Sequence, residues 1–98
     1  MADLLDDAAI ASALEGLPAW ERNGESIERF AKLPGFEAAI AVVDEVAQVA
    51  QTQDHHPDID IRFNSLKFKL STHSEGGLTA KDTDLAGRID AVVERHSS

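Results

Sequence analysis

The chain has 98 residues, is 43% hydrophobic, lacks cysteine and carries a formal charge of −9. That length and apolar content suit one folded domain over 1–98 rather than a disordered segment. The charge opposes direct contact with nucleic-acid phosphates, the absence of cysteine excludes disulfides and thiolate chemistry, and no apolar run nears the roughly 18 residues of a membrane span.

The first seven residues, Met1-Ala2-Asp3-Leu4-Leu5-Asp6-Asp7, are acidic and lack the basic start of a secretory signal, so a cytoplasmic protein is expected. Leu4, Leu5, Ala8, Ala11 and Leu14 recur at helical spacing and predict a first helix over 4–15, stopped by Gly16 and Pro18. Ala19 to Arg22 and Glu25 to Ala31 flank Asn23-Gly24, a strong hairpin signal that would pair Trp20 with Ile27 and Arg22 with Glu25. Lys32-Leu33-Pro34-Gly35 turns the chain into a second helix over 36–52. Its stripe is Phe36, Ala39, Ile40, Val43, Ala47 and Ala50, widened by Val42, Val46 and Val49. A face this broad suits either deep burial or contact on two sides, with the sheet and with another subunit. The helix should end near Gln53, leaving Asp54, His55 and His56 at its C-terminal end, where the helix dipole favours a protonated imidazole.

A second hairpin follows. Ile59, Ile61 and Phe63 alternate with Asp60 and Arg62, and Leu66, Phe68 and Leu70 alternate with Lys67 and Lys69. A turn at Asn64-Ser65 would oppose Phe63 to Leu66, Ile61 to Phe68, Ile59 to Leu70 and Asp60 to Lys69. The same register carried outward opposes His56 to His73, although Pro57 cannot donate to the ladder. After the loop Ser74-Glu75-Gly76-Gly77, Thr79 and Asp82 form a capping-box pattern ahead of a last helix with Leu85, Ile89, Val92 and Val93 on its apolar face. His96-Ser97-Ser98 is expected to be a frayed tail without a role. Helix, hairpin, helix, hairpin and helix can form one four-stranded antiparallel sheet with helices on its apolar face.

Three of the four histidines lie in residues 54–73. Ordinary surface histidines, a metal site with Asp54 or Asp58, and acid–base catalysis all fit His55, His56 and His73 on spacing alone. Adjacent residues such as His55 and His56 rarely aim at one ion, which weighs against metal. Histidine titrates near neutrality, so a group of them can give one proton and accept another. No serine has a motif that would activate it, and no glycine-rich phosphate loop is present. Asp82 is either a capping residue or a carboxylate that orients an imidazole near His73.

Asp54-His55-His56-Pro57, Phe63-Asn64, Leu70-Ser71-Thr72-His73, Gly77-Leu78-Thr79 and Asp82 together resemble the pterin-4a-carbinolamine dehydratase family, over nearly the whole chain. Trp20 before a hairpin turn and Phe36 opening the long helix also fit. The resemblance implies an α+β two-layer sandwich (α-β-β-α-β-β-α) with a four-stranded antiparallel sheet and three helices on one face. It implies dehydration of 4a-hydroxytetrahydropterin to quinonoid dihydropterin and water, which regenerates the pterin used by aromatic amino acid hydroxylases. The pterin is then substrate, and neither cofactor nor metal is required. By the same resemblance His55 and His73 would be general acids for the two hydroxyl stereoisomers, His56 would bind pterin and act as a base, and Asp82 would support His73 or the pocket. Gln51, His56, Pro57 and Thr72 would contact substrate. Family members are usually dimers or tetramers, so a homodimer or homotetramer is implied.

Two departures stand out. Gln51 replaces an acidic or charged residue that can face the ring, and an amide matches only part of the pterin's donor pattern, which predicts weaker binding. Ile59 and Asp60 stand where many members have aromatics, which bears on pocket shape or the subunit contact. A non-catalytic role is the alternative, because relatives on this fold serve as dimerisation cofactors for a homeodomain transcription factor or are associated with Rubisco assembly.

Overall fold

The computed structural model describes residues 3–97, so Met1, Ala2 and Ser98 of the two terminal stretches read above lie outside the described residues. Helix α1 (Asp7–Glu15) starts later than periodicity suggests, because the Asp6 carboxylate accepts a hydrogen bond from the Ala9 amide at 2.8 Å and caps it. Leu4 and Leu5 instead run alongside Leu78 and Thr79, with Leu5 N donating to Leu78 O. Strands β1 (Glu21–Asn23), β2 (Ser26–Lys32), β3 (Asp58–Arg62) and β4 (Ser65–Leu70) form an antiparallel sheet in the order β1-β2-β4-β3. Helix α2 (Phe36–Gln53) links β2 to β3, and α3 (Ala80–Arg95) closes the chain.

Alternation decides which face of the sheet is covered. Ile27, Ala31, Leu66, Phe68 and Leu70 are buried, while Phe30, Lys32 and Lys69 between them are exposed. Each large apolar side chain so buried contributes about 1.5–3 kcal/mol. The helices supply the other half of the core. α3 does so with the expected stripe of Leu85, Ile89, Val92 and Val93, all buried. α2 is rotated from expectation. Its buried line is Ala39, Val42, Val46 and Ala50, whereas Phe36 is 50% exposed and Ala47 faces solvent. Val43 and Val49 still pack against the core partly buried, so the exposed part of the apolar face is Phe36 and Ala47. Arg29 on the covered face pairs with Asp90 of α3, whose carboxylate also accepts from Trp20 Nε1 at 2.8 Å.

Both hairpins turn one residue away from the expected place. Arg22 pairs with Ile27, so the first turn is Gly24-Glu25 and Trp20 lies before the strand. Gly24 takes φ +62° at the first turn position, a conformation that glycine adopts without steric cost. In the second hairpin Ile59 faces Phe68, Ile61 faces Leu66 and Asp60 faces Lys67. The turn is Phe63-Asn64 because Leu33 claims Asn64 twice. Asn64 Nδ2 donates to Leu33 O at 2.9 Å, and Leu33 N donates to Asn64 O at 2.8 Å. Phe63 is left with φ +53°, at a cost of about 1–2 kcal/mol.

His96 and Ser97 are tied down, contrary to the expected frayed tail. His96 Nε2 lies 2.7 Å from Glu45 Oε1, Arg95 also pairs with Glu45, and Ser97 Oγ donates to Val93 O. The His96 imidazole, and then the Arg95 guanidinium, hold the Glu45 carboxyl below the usual carboxylate range. Among the described residues no helix is long and apolar enough to cross a membrane.

Candidate active site

The site is built where α2 ends and α3 begins. α2 stops at Asp54, which adopts the left-handed conformation (φ 53°, ψ 42°), and the His55 amide donates back to Ala50 O at 3.1 Å. Glycine usually fills such a cap, and aspartate tolerates it better than most residues. The sharp turn separates two neighbours. His55 points inward and is 9% exposed, while His56 stays in solvent.

β4 stops at Leu70, and Thr72 then bridges to Gly77, with Thr72 N donating to Gly77 O at 2.9 Å. A short helical turn over His73–Glu75 fills the loop between them and ends at Gly76 with φ +75°. His73 is therefore not a strand-end partner of His56. The ladder between β3 and β4 ends at Asp58 and Lys69, before Pro57, and its register is offset by two residues from the expected one.

Asp82 is completely buried in the first turn of α3. Oδ2 accepts from the Thr79 amide at 2.9 Å and from the Thr72 hydroxyl at 2.7 Å, and Oδ1 lies 2.6 Å from His55 Nε2. Capping and imidazole orientation are thus not alternatives here, because each uses its own carboxylate oxygen. The imidazole that Asp82 meets is His55, not His73. His56 has a weaker tether, with Gln51 Oε1 3.0 Å from its Nε2.

His55, His56 and His73 line one cleft of about 350 Å³, together with Asp54, Ser71, Thr72, Ser74 and Lys81. Exposed Gln51 and buried Asp82 are each bonded to one of these histidines, and Pro57 is outside the lining. Asp54 was singled out by sequence only as a possible metal ligand and within a motif, Ser71 and Ser74 only as serines without an activating motif, and Lys81 not at all. Lys81 had a usable signal, since it falls between the N-cap Thr79 and Asp82 at the mouth of the last helix. Among the described residues no group of three or more histidines and carboxylates is arranged to hold a metal ion. The cleft can therefore present several imidazoles, one of them backed by a buried carboxylate, to a polar substrate, and such a set can move protons in both directions.

The sequence profile described as Pterin 4 alpha carbinolamine dehydratase matches residues 3–92. A protein of Nocardia farcinica provisionally named pterin-4-alpha-carbinolamine dehydratase is 54% identical over 93% of this chain and 96% of its own length. A similarly named protein of Roseiflexus castenholzii is 50% identical over 95% of this chain and all of its own. Among solved structures, a transcriptional coactivator/pterin dehydratase from Brucella melitensis superposes with a TM-score of 0.90 at 30% identity, covering 93% of this chain and 99% of that one. A pterin dehydratase-like protein identified as a RuBisCO assembly factor in the alpha-carboxysome shares the fold, with a TM-score of 0.66 at 18% identity over 76% of this chain and 89% of that one. Matched along almost its entire length, the chain belongs to the pterin-4-alpha-carbinolamine dehydratase family.

Proposed function

We propose that the chain dehydrates 4a-hydroxytetrahydropterin to quinonoid dihydropterin and water by histidine acid–base catalysis, and so recycles the pterin of aromatic amino acid hydroxylases in the cytoplasm. The observation that carries this reading is the meeting of His55, His56 and His73 in one cleft, from the end of α2 and the loop after β4. The reaction needs two proton movements. An imidazolium protonates the 4a-hydroxyl as the C4a–O bond breaks and water departs. The N5 lone pair closes the C4a–N5 double bond, and a neutral imidazole takes the N5 proton. Histidines on separate elements suit proton donation to either stereoisomer, with His55 and His73 as donors and His56 as pterin contact and base. Neither a metal nor a cofactor enters this scheme.

The half-exposed Phe36 on α2 and the exposed Ile61 and Phe63 at the β3 edge support assembly into a homodimer or homotetramer. They equally support the rival reading, a protein-interaction role on the same fold. The test is the dehydration rate of synthetic 4a-hydroxytetrahydropterin, followed by absorbance, for wild type and His73→Ala. Acceleration well beyond buffer, with most of it lost in the variant, is expected, since positioned acid–base groups contribute about 10²–10⁴-fold. A wild type no faster than free imidazole at equal concentration would refute the enzyme reading and favour the interaction role.

A further inference from the structure

We infer that Thr72 and Thr79 are positioning residues that act through Asp82 to hold neutral His55 as its Nε2–H tautomer, which makes Nδ1 the atom that gives and takes the proton. This rests on the function proposed above and reassigns Thr72, whose resemblance role was substrate contact.

The hydrogen-bond directions follow from donor counting. Thr79 Oγ1 caps α3 and accepts from the Lys81 amide. Thr72 Oγ1 is 2.7 Å from Asp82 Oδ2 and 2.8 Å from Thr79 Oγ1. A carboxylate cannot donate, so the one Thr72 proton goes to Asp82. The proton between the two hydroxyls must then come from Thr79. The chain runs Thr79 to Thr72 to Asp82, and it commits Thr72, only 4% exposed, entirely to the network. Oδ2 is thereby filled by Thr72 and the Thr79 amide. Oδ1 is left to accept from His55 Nε2 at 2.6 Å, which requires a proton on that nitrogen.

The other ring nitrogen is free. His55 Nδ1 has no hydrogen-bond partner among the described residues, yet the side-chain atom that is fully buried without a partner is Arg29 Nε. Nδ1 therefore keeps contact with the cleft that His55 lines. Losing a proton from Nδ1 of the imidazolium restores the favoured tautomer at once. Losing it from Nε2 would leave Asp82 Oδ1 buried without a donor, which disfavours that route. A fixed tautomer set by a buried carboxylate is the same logic that orients catalytic histidines elsewhere.

The experiment uses 15N-labelled full-length protein and the long-range proton–nitrogen spectrum of His55 at a pH where its ring is neutral. Wild type should show a protonated Nε2 and a bare Nδ1. Thr72→Val, which keeps shape but removes the donor, should give a tautomer mixture and lower kcat by about tenfold with KM nearly unchanged. Thr72→Ser should restore both. Thermal melts of each variant separate loss of fold from loss of positioning. A wild-type ring protonated on Nδ1 would overturn the inference, and so would a Thr72→Val protein that loses rate with its tautomer intact. Should Thr72→Val fail to fold, the wild-type and Thr72→Ser spectra decide, and either one lacking the Nε2–H tautomer overturns it. The spectrum needs no substrate. A chain that holds the Nε2–H tautomer but fails to dehydrate the pterin refutes the proposed function alone.

Discussion

Replacing Asp82 with alanine tests whether one buried carboxylate organises the junction of α2 and α3. The substitution strands three donors: His55 Nε2–H, the Thr72 hydroxyl and the Thr79 amide. Turning the Thr72 proton toward Thr79 Oγ1 would only displace the Thr79 proton, so that pair stays one acceptor short, whereas His55 recovers by moving its proton to Nδ1 on the cleft side. Two donors then remain in a buried environment, at about 1–3 kcal/mol each. Loss of a carboxylate from the first turn of α3 adds roughly 0.3–1 kcal/mol. Against this, a charged group no longer has to be desolvated, which returns part of the loss. The balance is a destabilisation of about 2–4 kcal/mol, a large share of the roughly 5–15 kcal/mol that holds a domain together. A urea titration read by tryptophan fluorescence measures it. Trp20 is the single tryptophan, 4% exposed, and its indole N–H is bonded to Asp90 rather than to the site, so it reports global unfolding. The midpoint should fall with the slope unchanged. A loss below about 1 kcal/mol would refute the reasoning, because desolvation would then cancel the hydrogen bonds and Asp82 could not be the organiser.

Gln51→Glu should keep the acceptor for His56 and add a negative charge toward pterin donors, tightening pterin affinity by up to about tenfold in a direct titration; no improvement would count against a recognition role for this position. Phe63→Asn should raise the melting temperature by a few degrees, since asparagine relieves about 0.5–1 kcal/mol of left-handed strain at a site 71% exposed. A fall instead, with a smaller species in sedimentation, would show that the ring is covered by a second subunit. Glu45 has a carboxyl pKa lowered from 4.5 by His96 and Arg95, so its contribution is full above 4.5 and lost as pH falls through the lower folded value. The melting-temperature gap between wild type and Glu45→Gln should therefore be level at neutral pH and close in acid; a gap that widens in acid would reverse the sign.

The hairpins show which part of a sheet a sequence can specify. Both turns sit one residue from the expected place, and each register is offset by two. An offset of two preserves parity, so Ile59, Ile61, Leu66, Phe68 and Leu70 stay on the face assigned to them while their partners change, and Phe63 alone leaves it for the turn. Alternation is local and legible. The turn position is not, because it depends on Leu33 capturing Asn64 from 31 residues away. α2 has the same character, since its apolar breadth was visible but not which line of residues would be fully buried.

The site divides along the same line, and Asp82 explains why. Spacing could bring the histidines to one region, but it could not show that Asp54 would enter the left-handed region and send His55 inward and His56 outward. Nor could it choose between a cap and a catalytic support for Asp82, because the pattern Thr79-Ala80-Lys81-Asp82 is complete as a cap. The structure removes the choice. A capping carboxylate uses one oxygen on the helix and has a second to spend. Here the end of α2 places His55 against that second oxygen. The carboxylate sits in the first turn of α3, where the positive end of the helix favours its charge, and the imidazole sits just past the end of α2. Stability and chemistry thus draw on the same side chain, and a variant that damages either should be expected to damage both.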